Sequence, residues 1–233
     1  YAAHSRRAEE PILPLAVLQD RVVAMASVGT FFGAAAYTGL VSYIPLYFQI
    51  VLGEQSTVAG AALMGMVLSS SAASAIIGQL ISRNRERSIF VAAAAVSVAA
   101  IVSFALLRTH ATPLLAVALL GLHSFGLSMT FPLSNISIQN AVAHRHVGVA
   151  TASMYFTRSI SGAGSTAFLG AIILASGHAA AIARLKDGAR PSAVDPSLAD
   201  TFAVMLGVVA LFTLLSYAAL LLMERRPLRT TVS

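Results

Sequence analysis

Polar side chains recur at helical spacing along one otherwise apolar stretch, and their types suit contact with a small ligand. At about 100° per residue, Ser124, Ser128, Asn135 and Gln139 fall within a narrow sector, with Phe131 among them. Their hydroxyl and amide groups would form one wall of a wet cavity. Hydrogen bonding between helices, typically worth under about 1 kcal/mol per contact, would account for the same stripe.

One histidine and several tyrosines extend this set. His123 lies on another face of the same stretch and has a pKa suited to carrying a proton, although a lone histidine is more often a structural hydrogen-bonding group. Tyr47 could offer aromatic surface to a hydrophobic ligand, but near the end of its stretch it could instead be an interfacial anchor. The candidate cavity residues are Tyr37, Tyr47, His123, Ser124, Ser128, Phe131, Asn135, Gln139 and Tyr155.

The patterns of catalytic and metal sites are missing from the sequence. There is no H-E-x-x-H zinc pattern, and Ser124 beside His123 lacks a third member of a triad. His144 and His146 flank Arg145, but two histidines in a basic loop fall far below a defined metal site. The chain has no cysteine, which excludes disulfides and thiolate metal sites. We therefore expect no enzyme, no metal and no cofactor.

Six long apolar stretches carry these residues. The chain has 57% hydrophobic and only 10% charged residues, whereas about a quarter of residues are charged in soluble domains. A helix that crosses the roughly 30 Å hydrocarbon core needs about 20 apolar residues, so each stretch suffices for one crossing. The sequence predicts an all-α, polytopic membrane bundle with six spans at residues 22–50, 57–81, 88–107, 113–139, 147–175 and 201–223.

Basic residues fall mostly on alternate sides of these spans. The net charge of +6 would suggest nucleic acid in a soluble protein, but arginines in loops beside spans indicate membrane topology instead. One side holds Arg6, Arg7, Arg21, Arg83, Arg85, Arg87, Arg145, Arg225, Arg226 and Arg229, whereas the other holds only Arg108, Arg184, Lys186 and Arg190. The positive-inside rule predicts cytoplasmic termini and an outside loop at about 176–200.

The first and fourth spans resemble each other near their ends. One contains Ile44-Pro45-Leu46 followed by Gln49, and the other Phe131-Pro132-Leu133 followed by Gln139. Three spans followed by three of opposite orientation is the pattern of inverted repeats in transporters. The predicted division is a lead-in segment at 1–21, repeats at 22–107 and 113–223, and a tail at 224–233, with both end segments cytoplasmic.

Several motifs resemble the C-terminal half of a major facilitator superfamily transporter, in particular the fourteen-helix drug:proton antiporter family. They include residues 10–15 (EPILPL), 43–49 (YIPLYFQ), 139–152 (QNAVAHRHVGVATA) and 158–163 (RSISGA). The resemblance extends from residue 10 to about 225. It implies a missing N-terminal half of six or eight helices, which would be consistent with a chain that begins at Tyr1, and a substrate path between the halves.

The resemblance also suggests residues that couple conformations. The loop at residues 78–87 keeps the family's Gly78, Arg83 and Arg87, but Ser82 replaces an acid and Arg85 a glycine. In the alternative interpretation, these arginines only determine topology. The candidates for conformational coupling are Gly78, Arg83, Arg87, Gly148 and Arg158.

Arg158 is the only formal charge within a span. A central arginine costs about 2.5 to 3.5 kcal/mol on insertion scales, and intramembrane charges are usually functional. One hypothesis is that Arg158 pairs with carbonyls or an acid of the missing half and biases one alternating-access state. The other is that it forms a fixed structural tie.

Together these features predict half of a secondary active exporter of hydrophobic or amphiphilic small molecules in the cell (inner) membrane. The resemblance implies alternating access and proton antiport, with the proton gradient as energy source. No Asp or Glu lies within a predicted span, so an intramembrane proton carrier would have to be in the missing half. The expected partners are that half, the lipid bilayer and the substrate, without nucleic acid. A transporter of another solute class and a receptor or assembly subunit remain alternatives.

Overall fold

The computed structural model describes residues 20–81, 86–107, 110–177 and 196–223, and within these ranges the chain forms helices and no strand. The helices are α1 (Arg21–Ile50), α2 (Ser56–Ile81), α3 (Glu86–Leu107), α4 (Pro113–Ser128), α5 (Thr130–Ala141), α6 (Val147–Ala175) and α7 (Pro196–Leu221). Helices α4 and α5 form one span, Pro113–Ala141, so the described residues contain six spans long and apolar enough to cross a bilayer. The predicted all-α membrane bundle is confirmed.

Capping residues define two of the helix starts. Asp20 caps α1, where its side chain accepts a hydrogen bond from the Val22 amide at 2.8 Å. Thr112 caps α4 in the same way and is followed by Pro113, whose fixed φ suits the first helical position. Helix α7 begins at Pro196, several residues before the predicted start of its span at 201, so it includes Asp200. A stretch without charged residues indicates where the apolar core of a span lies. The residue at which the helix begins is decided instead by proline and by backbone hydrogen bonds.

The fourth span is interrupted at Met129. The amide of Met129 bonds to the Gly126 carbonyl at 3.3 Å, three residues back, and α5 begins at the next residue. Pro132 has no N–H, so the Ser128 carbonyl loses the donor that a continuous helix would supply. The proline thus explains why this span consists of two helices, with the break close to the predicted polar stripe.

The two predicted repeats interleave. Helix α1 packs mainly on α6 and α7, whereas α4 packs mainly on α2 and α3. The first span of each repeat therefore contacts the second and third spans of the other repeat, while α2 and α3 barely touch each other. The repeats are not separately packed units, and their boundaries stay a prediction.

Small residues allow these helices to approach closely. A Cβ atom on Gly126 of α4 would overlap the Ala93 carbonyl oxygen of α3 and lie 2.6 Å from the Ser97 Cβ. On the other side of the bundle, the Ser216 hydroxyl of α7 donates a hydrogen bond to the Gly29 carbonyl of α1 at 2.7 Å. Close backbone packing reinforced by such bonds is typical of membrane bundles, where lipid provides no hydrophobic force between helices.

Candidate functional site

An open cavity of about 410 Å³ lies between α1, α2, α5 and α6, and the end of α4 reaches it. Aromatic, hydroxyl and amide side chains share its wall with one charged group. The lining residues are Thr30, Tyr37, Ser70, Ser71, Ser74, Ser128, Phe131, Pro132, Asn135, Met154, Tyr155 and Arg158. The structure thus brings together six residues singled out from the sequence, namely Tyr37, Ser128, Phe131, Asn135, Tyr155 and Arg158.

A chain of side-chain contacts crosses this wall. The Arg158 guanidinium carbon lies 4.0 Å from the centroid of the Phe131 ring, which is a cation–π contact. The Phe131 ring meets the Tyr37 ring edge to face, with centroids 6.4 Å apart and planes at 83°. The Tyr37 hydroxyl lies 3.4 Å from the Ser70 hydroxyl. These contacts connect α6, α5, α1 and α2, so the wall is held by all four helices.

The hydroxyl groups of α2 form a polar wall that the sequence analysis did not assign to the cavity. Ser70 and Ser71 both donate hydrogen bonds to the Val67 carbonyl, and Ser74 donates to the Ser70 carbonyl, at 2.8 to 2.9 Å. Since each hydroxyl hydrogen is used within the helix, the oxygen lone pairs remain to accept hydrogen bonds. The four-residue spacing of Ser70 and Ser74 was the available signal, but it also fits ordinary helix packing.

Asn135 and Gln139 are paired on α5. The Gln139 side-chain amide donates to the Asn135 side-chain oxygen at 3.1 Å. Asn135 lines the cavity, whereas Gln139 is exposed one turn further along the helix and is not part of the wall. The bond orients the Asn135 amide, which leaves its NH₂ group as a donor toward the cavity.

Tyr47 lies away from the cavity. Its side chain is only 1% exposed, and its ring packs against Phe48, Phe104 and Phe202 with centroids 5.0 to 6.0 Å apart. Burial within the chain also removes it from a membrane interface, so neither sequence-based interpretation of Tyr47 matches its place in the core. Its phase on α1 differs from that of Tyr37, and only the packing of α3 and α7 around it decides its environment.

His123 and Ser124 also lie outside the cavity wall. Both are fully buried on α4, one turn before Ser128, where the wall ends. His123 Nδ1 lies 3.1 Å from the Ser97 hydroxyl, whereas the Ser124 hydroxyl has no hydrogen-bond partner among the described residues. The predicted stripe therefore runs into the bundle interior at Ser124, and its middle part, from Ser128 to Asn135, reaches the cavity.

The coupling candidates other than Arg158 lie far from this wall or beyond what the structure describes. Gly148 is exposed in the first turn of α6, with open space where a Cβ atom would be. Arg83 is outside the described residues, as are the surroundings of Gly78 in α2 and of Arg87 in α3. Their coupling role stays a prediction.

His144, Arg145 and His146 form a single turn of 3-10 helix before α6, and one of the two histidines bonds to the arginine. Arg145 Nε donates a hydrogen bond to His146 Nε2 at 3.1 Å. Across the described ranges, no group of three or more His, Cys, Asp or Glu side chains is arranged to hold a metal ion.

The helical bundle and its cavity agree with what sequence comparison finds. Residues 2–166 match the Major Facilitator Superfamily. Because this match covers more than half of the chain, the chain belongs to the Major Facilitator Superfamily, whose members are membrane transporters rather than enzymes.

Individual relatives are named for drug resistance or transport. The chain is 24% identical over 167 residues to the multidrug transporter protein MdtP of Bacillus subtilis, covering 72% of this chain and 31% of that protein. It is 31% identical over 166 residues to the multidrug resistance protein fnx1 of Schizosaccharomyces pombe, with coverage of 68% and 31%. It is 29% identical over 187 residues to the tetracycline resistance determinant of Streptomyces rimosus, with coverage of 78% and 52%. The chain thus spans about a third of the length of MdtP and fnx1.

Proposed function

We propose that this chain forms the C-terminal half of a fourteen-helix transporter that exports hydrophobic or amphiphilic small molecules by alternating access. Proton antiport supplies the energy, and an N-terminal half of the same protein closes the substrate path. Support comes from the names of the relatives, which refer to multidrug and tetracycline resistance, and from the composition of the open cavity.

The observation that carries this proposal is the mixed wall of the cavity. Tyr37, Phe131, Tyr155 and Met154 offer aromatic and thioether surface to the apolar body of a ligand. The hydroxyl groups of α2 and the Asn135 amide supply a few hydrogen bonds beside that surface, the usual composition of a small-molecule site. A purely polar solute would leave the aromatic faces without partners, so an amphiphilic substrate fits this wall better.

The packing of the bundle suggests how such a half would move. Helix α1 contacts α6 and α7 extensively and α4 contacts α2 and α3, so neither repeat can shift without disturbing the other. We therefore propose that this half rocks as one body against the N-terminal half, around a site between them. Both termini lie in the cytoplasm of a cell whose inner membrane holds the protein, in accordance with the distribution of arginine and lysine.

The decisive experiment reconstitutes the full-length protein in liposomes with an imposed pH gradient and follows efflux of a fluorescent drug. We expect gradient-dependent transport that Phe131→Ala reduces about tenfold, because the ring contacts both Arg158 and Tyr37. Gly207→Ala is the matched control, since a Cβ atom there meets open space. Transport that is absent from the full-length protein, or present but unaffected by Phe131→Ala, would contradict the proposal.

A further inference from the structure

Arg158 is the only charged side chain among the described residues that line the cavity. Its guanidinium lies over the face of the Phe131 ring, and no acidic side chain of the described ranges forms a salt bridge with it. An isolated cation within a membrane bundle is costly, so such a group generally has a counterpart that neutralises it. The described part of this half does not supply that counterpart.

A contact with one aromatic ring leaves most of the hydrogen-bonding capacity of Arg158 available. The guanidinium carbon lies 4.0 Å from the centroid of the Phe131 ring, and the group carries five N–H donors, more than one ring face can occupy. The five N–H donors of a guanidinium form a fork that matches the two oxygens of a carboxylate or sulfonate. An arginine held against Phe131 is thus restrained and still able to bind an anion in bidentate fashion.

The surroundings of Arg158 suit the remainder of such a ligand. Tyr155 lies nearly one turn before it on α6, and Met154 adds a flexible apolar surface at the same wall. The serine hydroxyls on the opposite side donate to carbonyls of their own helix, so they present mainly acceptors and do not compete with the guanidinium for the anion.

We propose that Arg158 recognises the acidic head group of an amphiphilic aromatic substrate, an organic carboxylate or sulfonate, whose apolar body packs on Phe131 and Tyr155. This inference rests on the proposed function and specifies its substrate class. It predicts that anionic amphiphiles bind more tightly than neutral or cationic molecules with the same apolar body, because a charge-assisted bidentate pair forms with a partly buried guanidinium.

The test compares three probes that share a pyrene body and differ in head group, namely pyrenebutyrate, pyrenebutanol and pyrenebutylamine. Their dissociation constants are measured with the purified full-length protein in nanodiscs of zwitterionic lipid. We expect pyrenebutyrate to bind at least tenfold more tightly than pyrenebutanol, and pyrenebutylamine to bind most weakly. Arg158→Gln should abolish the tenfold preference while changing pyrenebutanol affinity less than twofold, and Arg158→Lys should keep part of it because it retains charge without the fork.

Ser159→Ala is the matched control. Ser159 is the next residue on α6, but it is exposed and donates a hydrogen bond to the Tyr155 carbonyl at 3.1 Å, so its loss should leave all three affinities unchanged. Equal binding of the three probes by the wild-type protein would overturn the inference even if Arg158→Gln fails to fold. An equal loss of affinity for all three probes in Arg158→Gln would also overturn the inference, because it would assign the residue a structural or conformational role.

Failure of this inference and failure of the proposed function are distinguishable. Efflux of neutral pyrenebutanol from liposomes with a pH gradient tests transport without reference to head-group charge. Gradient-driven efflux of pyrenebutanol without any preference for pyrenebutyrate would refute anion recognition alone. Absence of efflux for all three probes would refute the proposed transport function. The ratio of the dissociation constants of pyrenebutanol and pyrenebutyrate would still test anion recognition by Arg158.

Discussion

Ser97 of α3 and His123 of α4 exchange two hydrogen bonds in the interior of the bundle. The Ser97 hydroxyl donates to the His123 carbonyl at 3.0 Å, and His123 Nδ1 lies 3.2 Å from the Ser97 carbonyl oxygen. Both residues are fully buried. The reciprocal assignment places the ring proton on Nδ1, so that it donates to the Ser97 carbonyl. The pair ties α3 to α4 three residues before Gly126, where an added Cβ atom would overlap the Ala93 carbonyl oxygen.

This relationship predicts that His123 stabilises the fold and is not the proton carrier of the proposed antiport. His123→Gln should lower the free energy of unfolding by about 1–3 kcal/mol, because it disrupts a buried, hydrogen-bonded pair. Proton-driven efflux by the full-length variant should stay above half of the wild-type rate, since His123 does not line the cavity. Thermal unfolding in detergent and efflux from proteoliposomes check the two parts. A variant as stable as the wild type but without gradient coupling would instead identify His123 as the proton carrier.

Close packing of α3 and α4 makes Gly126 sensitive to the addition of one methyl group. Gly126→Ala should cost about 1–3 kcal/mol of stability, because its Cβ would overlap a backbone oxygen of Ala93 that cannot rotate away. Gly207→Ala on α7 is the control. A Cβ atom at Gly207 would meet open space, so this variant should not be destabilised. Comparing the melting temperatures of both variants measures the effect. Equal melting temperatures would show that α3 and α4 are further apart than described.

The arrangement of basic residues predicts on which side of the membrane two predicted loops lie, and the residue labelled in each is outside the described ranges. Because the chain has no cysteine, single cysteines can be introduced without further changes. Ala189→Cys should react with a membrane-impermeant maleimide in intact cells, whereas Asn84→Cys should react only after permeabilisation. The opposite labelling pattern would reverse the proposed orientation of the termini.

The open side of the cavity predicts that this chain does not transport by itself. Residues 1–233 supply one wall and no acidic side chain to the described lining, so neither a closed path nor an acidic proton carrier is present there. Liposomes containing only this chain should show no dye efflux under a pH gradient, whereas the full-length protein should show it. Gradient-driven efflux with the isolated chain would contradict its proposed role as half of a transporter.

Local periodicity accounts for the parts of the cavity that could be predicted. Phe131 and Asn135 lie one turn apart on α5, and Tyr155 and Arg158 lie nearly one turn apart on α6, so each pair shares a face whatever surrounds the helix. Ser70, Ser71 and Ser74 were not predicted to line the cavity, because many membrane spans contain serines that serve helix packing alone. Only the packing of α2 against α1 and α5 makes these hydroxyls part of a wall.

Tyr47 is the reverse case, a residue that the sequence suggested for the cavity and that the structure places in the core. Its residue type suits both ligand contact and interfacial anchoring, and its sequence neighbourhood does not distinguish them from burial. Rings contributed by α3 and α7, distant in sequence, enclose it in the core.

The sequence by itself determined the six spans, since crossing a bilayer depends on the length and apolarity of each segment, and it determined the family, since matching residues persist along the chain. Tertiary structure alone decided which polar residues meet. Interleaving of the two repeats brings α1 against α5 and α6 and brings α2 against α4 and α5, and packing between distant segments cannot be calculated from the phase of any single helix. It also decided that Arg158 rests on Phe131 with its N–H groups free of any acidic partner in the described chain, which is the basis for the proposed recognition of anions.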